Sequence, residues 1–434
     1  MNKRIWLLLI LAFLLAGCAV PTVDQLYCVP DRPQSYSDME AVFDKAMTGL
    51  DYTAPKNGEN LQTIQMHDLD ADGVREYLIF ARSDSDKSLK ILVFAQTDDG
   101  YALTDTVPCK GASFDQVEYV QMDGKGGTEL LVGTRISEQV YRSAMVYRYE
   151  AGKISQIMST SYVKFLTCDM NGNGQQELLV LKPGITDEDP GTAALCWMEG
   201  DVGKRSNEVP LSCPVSQVDQ IFSGTLADGS QGVFITGLDS QSGNVTDVMA
   251  LDGQTLRNAA LESATGTKAE KLGDCRLYPM DMDGDGVTEL PQVLKARDPK
   301  GAFNQRIVRW YTLDTQGGEA EKGYTWHDVE NGWHLALEDD WVPNLRISTD
   351  TGTAYFHQVD SETGNVSLIF TVYVLTGQNR EEQALNDGGF VLLRTESVLY
   401  TATLEQSATD MDLSQENLIF SFRLIQQDWK TGET

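Results

Sequence analysis

Three nonapeptides hold the residues best suited to chemistry in this chain: Asp68-Leu-Asp70-Ala-Asp72-Gly73-Val-Arg-Glu76, Asp169-Met-Asn171-Gly-Asn173-Gly174-Gln-Gln-Glu177 and Asp281-Met-Asp283-Gly-Asp285-Gly286-Val-Thr-Glu289. Each offers side-chain oxygens at its first, third, fifth and ninth positions, with glycine sixth, where a chain wrapping a cation must turn sharply. An all-oxygen donor set of this kind suits a hard divalent ion such as Ca2+. A stretch rich in Asp, Asn and Gly between strands also serves as a tight turn whose side chains bond their own backbone. Three copies that all keep the glycine and the glutamate favour the metal.

The residues after each loop decide its type. An EF-hand needs a bidentate Glu at the twelfth position and a helix beyond it, and here the twelfth positions hold Ile79, Val180 and Gln292. Short apolar runs of strand character follow instead, at Tyr77–Phe80, Leu178–Leu181 and Leu290–Leu294. The loop therefore joins strand to strand.

With the ninth-position Glu and its following strand as a ruler, two degraded copies emerge, Gln121–Glu129 before Leu130–Val132 and Gly224–Gly232 before Val233–Ile235. Successive ninth positions then lie 53, 48, 55 and 57 residues apart, a period characteristic of solenoids, propellers and arrays. The first period reads as four strands, Leu61–Met66, Glu76–Ala81, Leu89–Phe94 and Tyr101–Val107, with no room for a helix. The second repeats them at Val117–Gln121, Leu130–Thr134, Ala144–Tyr149 and Ile154–Ser159. Four short strands are the content of one propeller blade.

These phased loops in all-β repeats of about fifty residues resemble the FG-GAP and VCBS-type repeats of integrin-α-like β-propellers, over residues 60–328. The resemblance implies a mainly β fold, a β-propeller of about five four-stranded blades followed by a small α+β domain. It also implies three structural Ca2+ ions, held by Asp68, Asp70, Asp72 and Glu76, by Asp169, Asn171, Asn173 and Glu177, and by Asp281, Asp283, Asp285 and Glu289. Backbone carbonyls at Val74, Gln175 and Val287 would complete the sets. Lys125 in the second copy, and Gly224, Leu226 and Gly232 in the fourth, depart from the pattern and are expected to abolish binding there.

The amino terminus indicates location. Lys3 and Arg4 precede an apolar run, Ile5–Leu15, too short to span a bilayer. Leu15-Ala16-Gly17-Cys18 resembles the bacterial lipoprotein processing box, which implies a signal peptide over residues 1–17 and lipidation of Cys18 at the extracytoplasmic face of the cell membrane. Without Lys3 and Arg4 the body carries 32 basic against 64 acidic residues, a balance that repels nucleic acid and anionic lipid. Six further cysteines, Cys28, Cys109, Cys168, Cys196, Cys213 and Cys275, show no CxxC spacing; they could pair after export or serve as small buried residues.

Residues 18–36, with Pro21, Pro30 and Pro33, read as a tether. Residues 37–59 open with an amphipathic helix, Ser37 at its cap and Glu40 three residues on. Residues 329–434 lack the loop and read as the α+β domain, with strands at Leu345–Ser348, Thr353–His357, Val366–Leu375, Gly389–Arg394, Val398–Thr403 and Leu418–Gln427 and helices near 378–387 and 410–418. That domain weakly resembles the terminal module of some Gram-positive envelope lipoproteins.

No compact catalytic motif is present: HExxH, GxSxG, GxxxxGK[ST] and GxGxxG are all absent, and the histidines number four, His67, His327, His334 and His357. No catalytic residue is assigned. Trp310, Trp326, Trp333 and Trp341 suit either a core or a ligand platform, the core being favoured. The expected function is that of an envelope lipoprotein whose calcium-stabilised propeller binds or scaffolds an extracellular protein or glycan. The alternative is an envelope hydrolase with carboxylate acid and base on the propeller face.

Overall fold

The computed structural model describes residues 34–136, 142–186, 189–239, 243–269, 271–272, 275–294, 307–386, 388–411 and 413–426. The signal segment, Cys18, Cys28 and residues 18–33 of the tether lie outside this set. Within it the chain is mainly β, arranged as successive antiparallel sheets.

Sheet one holds β1 (Leu50–Tyr52), β2 (Ile64–His67), β3 (Glu76–Ser83), β4 (Leu89–Thr97) and β5 (Gly100–Cys109), with β1 and β2 both pairing to β3. Sheet two is a meander of β6 (Ser113–Val120), β7 (Glu129–Arg135), β8 (Arg142–Glu150) and β9 (Lys153–Tyr162). Sheet three comprises β10 (Lys164–Cys168), β11 (Glu177–Lys182), β12 (Thr192–Glu199) and β13 (Val202–Arg205), with β14 (Val209–Pro210) also on β12. Sheet four runs β15 (Val218–Thr225), β16 (Gln231–Asp239), β17 (Gly243–Asp252) and β18 (Thr255–Asn258). A short ribbon, β19 (Lys271–Leu272) with β20 (Cys275–Arg276), leads to sheet five: β21 (Leu290–Val293), β22 (Ile307–Leu313), β23 (Glu319–Asp328), β24 (Trp333–Leu337) and β30 (Phe422–Leu424). Sheet six, in the order β25-β26-β27-β29-β28, is built from Leu345–Asp350, Thr353–Val359, Val366–Thr376, Val398–Leu404 and Phe390–Arg394.

The second strands of the sheets are nearly continuous apolar runs because both of their faces are buried, and alternate residues serve alternate neighbours. In β7, Leu130 and Val132 pack on sheet one while Leu131 packs on sheet three. In β11, Leu178 and Val180 face sheet two while Leu179 and Leu181 face sheet four. In β16, Val233 and Ile235 face sheet three and Phe234 faces sheet five. The sheets thus pack in series, each sandwiched between its predecessor and its successor.

The series has a capped beginning. Helix α1 (Gln34–Ala46) lays Phe43, with Met47 just beyond it, against Ile79, Ala81, Leu92 and Phe94, the face of sheet one that sheet two leaves uncovered. Phe43 meets Phe94 edge to face at a centroid distance of 4.6 Å. Among the described residues no hydrophobic cluster joins the first sheet to the last.

Three expectations need correction. The helix begins at Gln34, so Ser37 lies inside it rather than at its cap. The boundary expected between residues 328 and 329 falls inside the β23–β24 hairpin, because sheet five takes its outer strands from Trp333–Leu337 and Phe422–Leu424. The closing strand expected over Leu418–Gln427 opens instead on the end of a helix, Gln415–Ser421, with three residues of strand after it. Ser414 explains this, since its hydroxyl accepts from the Asn417 amide and caps a helix there. The four late tryptophans, Trp310, Trp326, Trp333 and Trp341, are core residues of sheets five and six.

At the end of sheet two remote from the loops, fully buried Asp115 accepts hydrogen bonds from Asn57 Nδ2 (2.8 Å), Arg135 Nε (3.1 Å), Arg142 Nη1 (2.9 Å) and Tyr162 Oη (2.7 Å). Gly133 makes room for that tyrosine, because a Cβ there would overlap Tyr162 Oη. Gly133→Ala should therefore destabilise the fold by about 1–3 kcal/mol through overpacking, read as a lower urea midpoint. An unchanged midpoint would mean that the Asp115 cluster tolerates displacement of its tyrosine.

Candidate functional site

The first- and third-copy loops join β2 to β3 and β10 to β11, the fifth-copy loop runs into β21 with Met280 and Glu289 bridged across it, and all three follow one backbone path. The fourth and sixth positions are left-handed in each: Ala71 (φ 59°) and Gly73 (88°), Gly172 (72°) and Gly174 (84°), Gly284 (80°) and Gly286 (86°). The degraded second copy keeps this path at Gly124 and Gly126. The turn itself thus favours glycine at these positions, and among these loops Ala71 is the one residue that adopts the conformation with a side chain.

The first-position aspartates organise the turn. Asp68 accepts from the amides of Asp72 (3.1 Å) and Gly73 (3.0 Å), Asp169 from those of Gly172 (2.7 Å) and Gly174 (2.8 Å), and Asp281 from those of Gly284 (2.7 Å) and Gly286 (3.0 Å). The fifth-position side chains of Asp72, Asn173 and Asp285 each accept from the amide two residues on, that of Val74, Gln175 and Val287. Carboxylate oxygens then converge. Those of Asp68, Asp70 and Glu76 lie within 4.8 Å of one another, as do those of Asp281, Asp283 and Asp285. The middle loop differs, since Asn171 turns its amide nitrogen toward Glu177 Oε1.

The ninth-position glutamates are buried, Glu76, Glu129, Glu177 and Glu289 alike, and each accepts the amide of its loop's second residue, from Leu69 (2.9 Å), Met122 (2.7 Å), Met170 (2.7 Å) and Met282 (2.7 Å). Burial raises all four carboxyls, Glu129 and Glu289 to about 7, with neighbouring aspartates adding to the rise. In Glu289 the second oxygen, Oε1, is buried without a hydrogen-bond partner. Oxygen-only donors, mutual repulsion and an unsatisfied buried oxygen fit a hard divalent cation, which would supply the missing partner.

Degraded copies solve the same problem differently. In the second, Arg148 pairs with Asp123 and, at 2.8 Å, with Asp201, which Lys125 also binds. A side-chain guanidinium thus neutralises the third-position carboxylate. A cleft of about 270 Å³ between Asp70 and this cluster is walled by Glu129, Arg148 and Tyr149. In the fourth copy the loop is only a hairpin turn, with Gly224 and Gly232 paired across it. Its Asp228 accepts the amides of Ser230 (3.0 Å) and Thr315 (2.9 Å). Burial opposes its ionisation, yet the hydrogen bonds from Thr315 and Ser230 prevail and hold its carboxyl down at about 2.

Neighbouring loops are linked along one end of the series. The Thr128 amide donates to Leu69 O (2.8 Å), Gln176 to Gln121 O (2.5 Å) and Thr288 to Thr225 O (2.9 Å). Between the third and fourth copies lies a cleft of about 210 Å³ lined by Asn171, Asn173, Glu177, Trp197, Leu251 and Gln254.

Arg148 and Lys322, the cations that meet these loops, escape sequence reading because each comes from a strand distant in sequence. His67, next to the first loop, stacks on Tyr119 at 4.1 Å. His327 and His334 stack on each other in the core, and burial lowers both. Outside the loops, Asp247 is a carboxyl that burial raises, and it is enclosed by Ser212 and Asn258. The five described cysteines are buried, and no disulfide joins any two of them. No helix among the described residues is long and apolar enough to cross a membrane.

No protein-family model matches this chain, and no curated protein matches it. Solved structures that match include the rhamnogalacturonan lyase YesW, at 14% identity and a TM-score of 0.33 over 74% of this chain and 55% of that one. Saccharomyces cerevisiae Sqt1 matches at 8% identity and a TM-score of 0.31, over 81% of this chain and 100% of that one. The β-propeller domain of the trilobed protease from Pyrococcus furiosus matches at 10% identity and a TM-score of 0.26, over 72% and 89%. The chain spans about half the length of YesW. Likeness at these scores carries no argument about activity, and the mainly β architecture stands on the strand pairing itself.

Proposed function

We propose that this chain is a lipid-anchored protein of the bacterial cell envelope, whose calcium-stabilised β-propeller binds or scaffolds an extracellular protein or glycan. The observation that carries the reading is the repetition, at one end of sheets packed in series, of one loop path that in two of its copies brings three carboxylates together. Sheets one to five are its blades. The ring is an open one, since α1 covers the outer face of sheet one. Sheet six and its helices form the appended α+β portion.

In this reading Ca2+ has a structural role. Asp68, Asp70, Asp72 and Glu76 hold one ion, Asp281, Asp283, Asp285 and Glu289 another, and Asp169, Asn171, Asn173 and Glu177 a third, with Val74, Val287 and Gln175 contributing carbonyls. The ion would cancel the repulsion among carboxylates that folding presses together. Cys18 carries the lipid and residues 18–36 hold the body away from the membrane. The binding function is tested by sedimenting the purified body with isolated cell-wall glycan, and with envelope protein extract, in Ca2+ and in chelator. Retention of neither in Ca2+ would overturn it.

Chelation at neutral pH should lower the melting temperature, because a ligand that binds only the folded state stabilises it by about 2.7 kcal/mol at a hundredfold excess over Kd. An unchanged melt after verified removal of the ion would count against all three sites.

Asp283→Ala should remove one bound Ca2+, counted by native mass spectrometry, and lower stability by roughly 1–3 kcal/mol. Asp228→Ala should leave the count unchanged and still destabilise by about 1 kcal/mol, since the Thr315 and Ser230 amides lose their acceptor. Loss of an ion on Asp228→Ala would overturn the loop assignment.

Cys18→Ala should release the protein from the membrane fraction or block its processing. Firm attachment of a correctly processed variant would exclude the lipid anchor.

A further inference from the structure

The fifth-copy loop meets a cation of the protein's own. Lys322 Nζ lies 3.7 Å from Asp283 Oδ2 and pairs more closely with Asp285 Oδ2. These are the third- and fifth-position oxygens of the loop whose buried Glu289 Oε1 has no partner. An ammonium held there and a divalent ion bound by the same oxygens would repel each other at close range.

The backbone aims this side chain deliberately. In the β22–β23 ladder Trp310 pairs with Gly323 and Tyr311 with Glu321, so Lys322 is the extra residue of a β-bulge, and Gly323 follows it at φ 150°. A bulge re-aims the side chain it carries. The same bulge recurs in β5 of sheet one and β9 of sheet two, where the extra residues are Thr104 and Ile157. The bulge belongs to the repeat, and only in the fifth sheet does it present a lysine to the loop.

The loops form a graded series. Among the described residues no Lys or Arg pairs with Asp68, Asp70, Asp72 or Glu76. In the second copy Arg148, largely buried, bridges Asp123 and Asp201. Lys322 stands between these cases: its side chain is 27% exposed, so it can swing to water, and a flexible ammonium gives up an ion pair more readily than a clamped guanidinium.

We propose that Lys322 is the affinity-setting residue of the fifth-copy loop, an internal cation that holds Asp283 and Asp285 together and leaves when a divalent cation enters. The loop then fills at a higher Ca2+ concentration than the first, and its filling frees a lysine on β23. The inference rests on the calcium reading above.

Calorimetric Ca2+ titration of the metal-stripped protein tests it. Lys322→Gln should tighten one class of sites by about tenfold or more, with the stoichiometry and the other sites unchanged. Lys322→Met serves equally if the first variant misfolds, and Lys87→Gln, which removes an exposed charge from the far end of sheet one, should change nothing. Amine-reactive labelling read by peptide mass spectrometry should show Lys322 becoming several-fold more reactive as Ca2+ saturates the native protein. In Asp285→Ala, which removes the closer partner, the reactivity should be high from the start and respond less to the ion. Unaltered affinities in both Lys322 variants, or labelling indifferent to bound Ca2+, would overturn the proposal while leaving the calcium sites intact. Absence of any Ca2+ binding would instead remove the calcium reading and this inference with it.

Discussion

One contact is common to every copy of the loop that keeps its glutamate: a buried carboxylate accepting the amide of the loop's second residue. It appears whether or not the remaining positions can ligate a metal, since the second copy has it too. The glutamate therefore anchors the start of the loop to the start of the next strand, and burying it makes the surroundings hungry for positive charge. The copies meet that demand differently, with a guanidinium in the second, the Asn171 amide in the third and a lysine beside the fifth, while the first only adds carboxylates to it.

Much of this was legible in the linear chain. The ninth-position ruler placed one buried strand in each of the first five sheets, β3, β7, β11, β16 and β21, because those strands begin at or next to the ninth position and run on as largely apolar residues. The degradation of the fourth copy was legible as well, and its Gly224 and Gly232 turn out to be strand partners.

What escaped reading comes from elsewhere in the chain. Nothing in the neighbourhood of Asp123 announces Arg148, and nothing near Asp285 announces Lys322, because strand pairing rather than sequence distance brings them together. The boundary placed at 328 failed for a related reason. Loss of the calcium loop marks where the repeat ends as a pattern, but β24 and β30 are still needed to complete the sheet that the last loop opens. Ser37 misled because a capping signature is local, whereas packing of Phe43 on sheet one fixes where that helix lies.

Packing in series also shapes how such a molecule holds together. A sheet that touches only its predecessor and successor obeys nearest-neighbour cooperativity, so the free energy is a sum of unit and junction terms rather than of one central core. The ends then behave as caps: α1 closes one, and the paired sheets five and six close the other. The weakest junction becomes the place where the array parts under stress. Between the third and fourth sheets, where a cleft stands in place of a loop-to-loop hydrogen bond among the described residues, the junction is held instead by buried Leu179, Leu181, Val233, Ile235 and Met249 and by Asn207, whose side-chain amide pairs with the Leu256 backbone, so resistance to parting there rests on the core and not on the loop end.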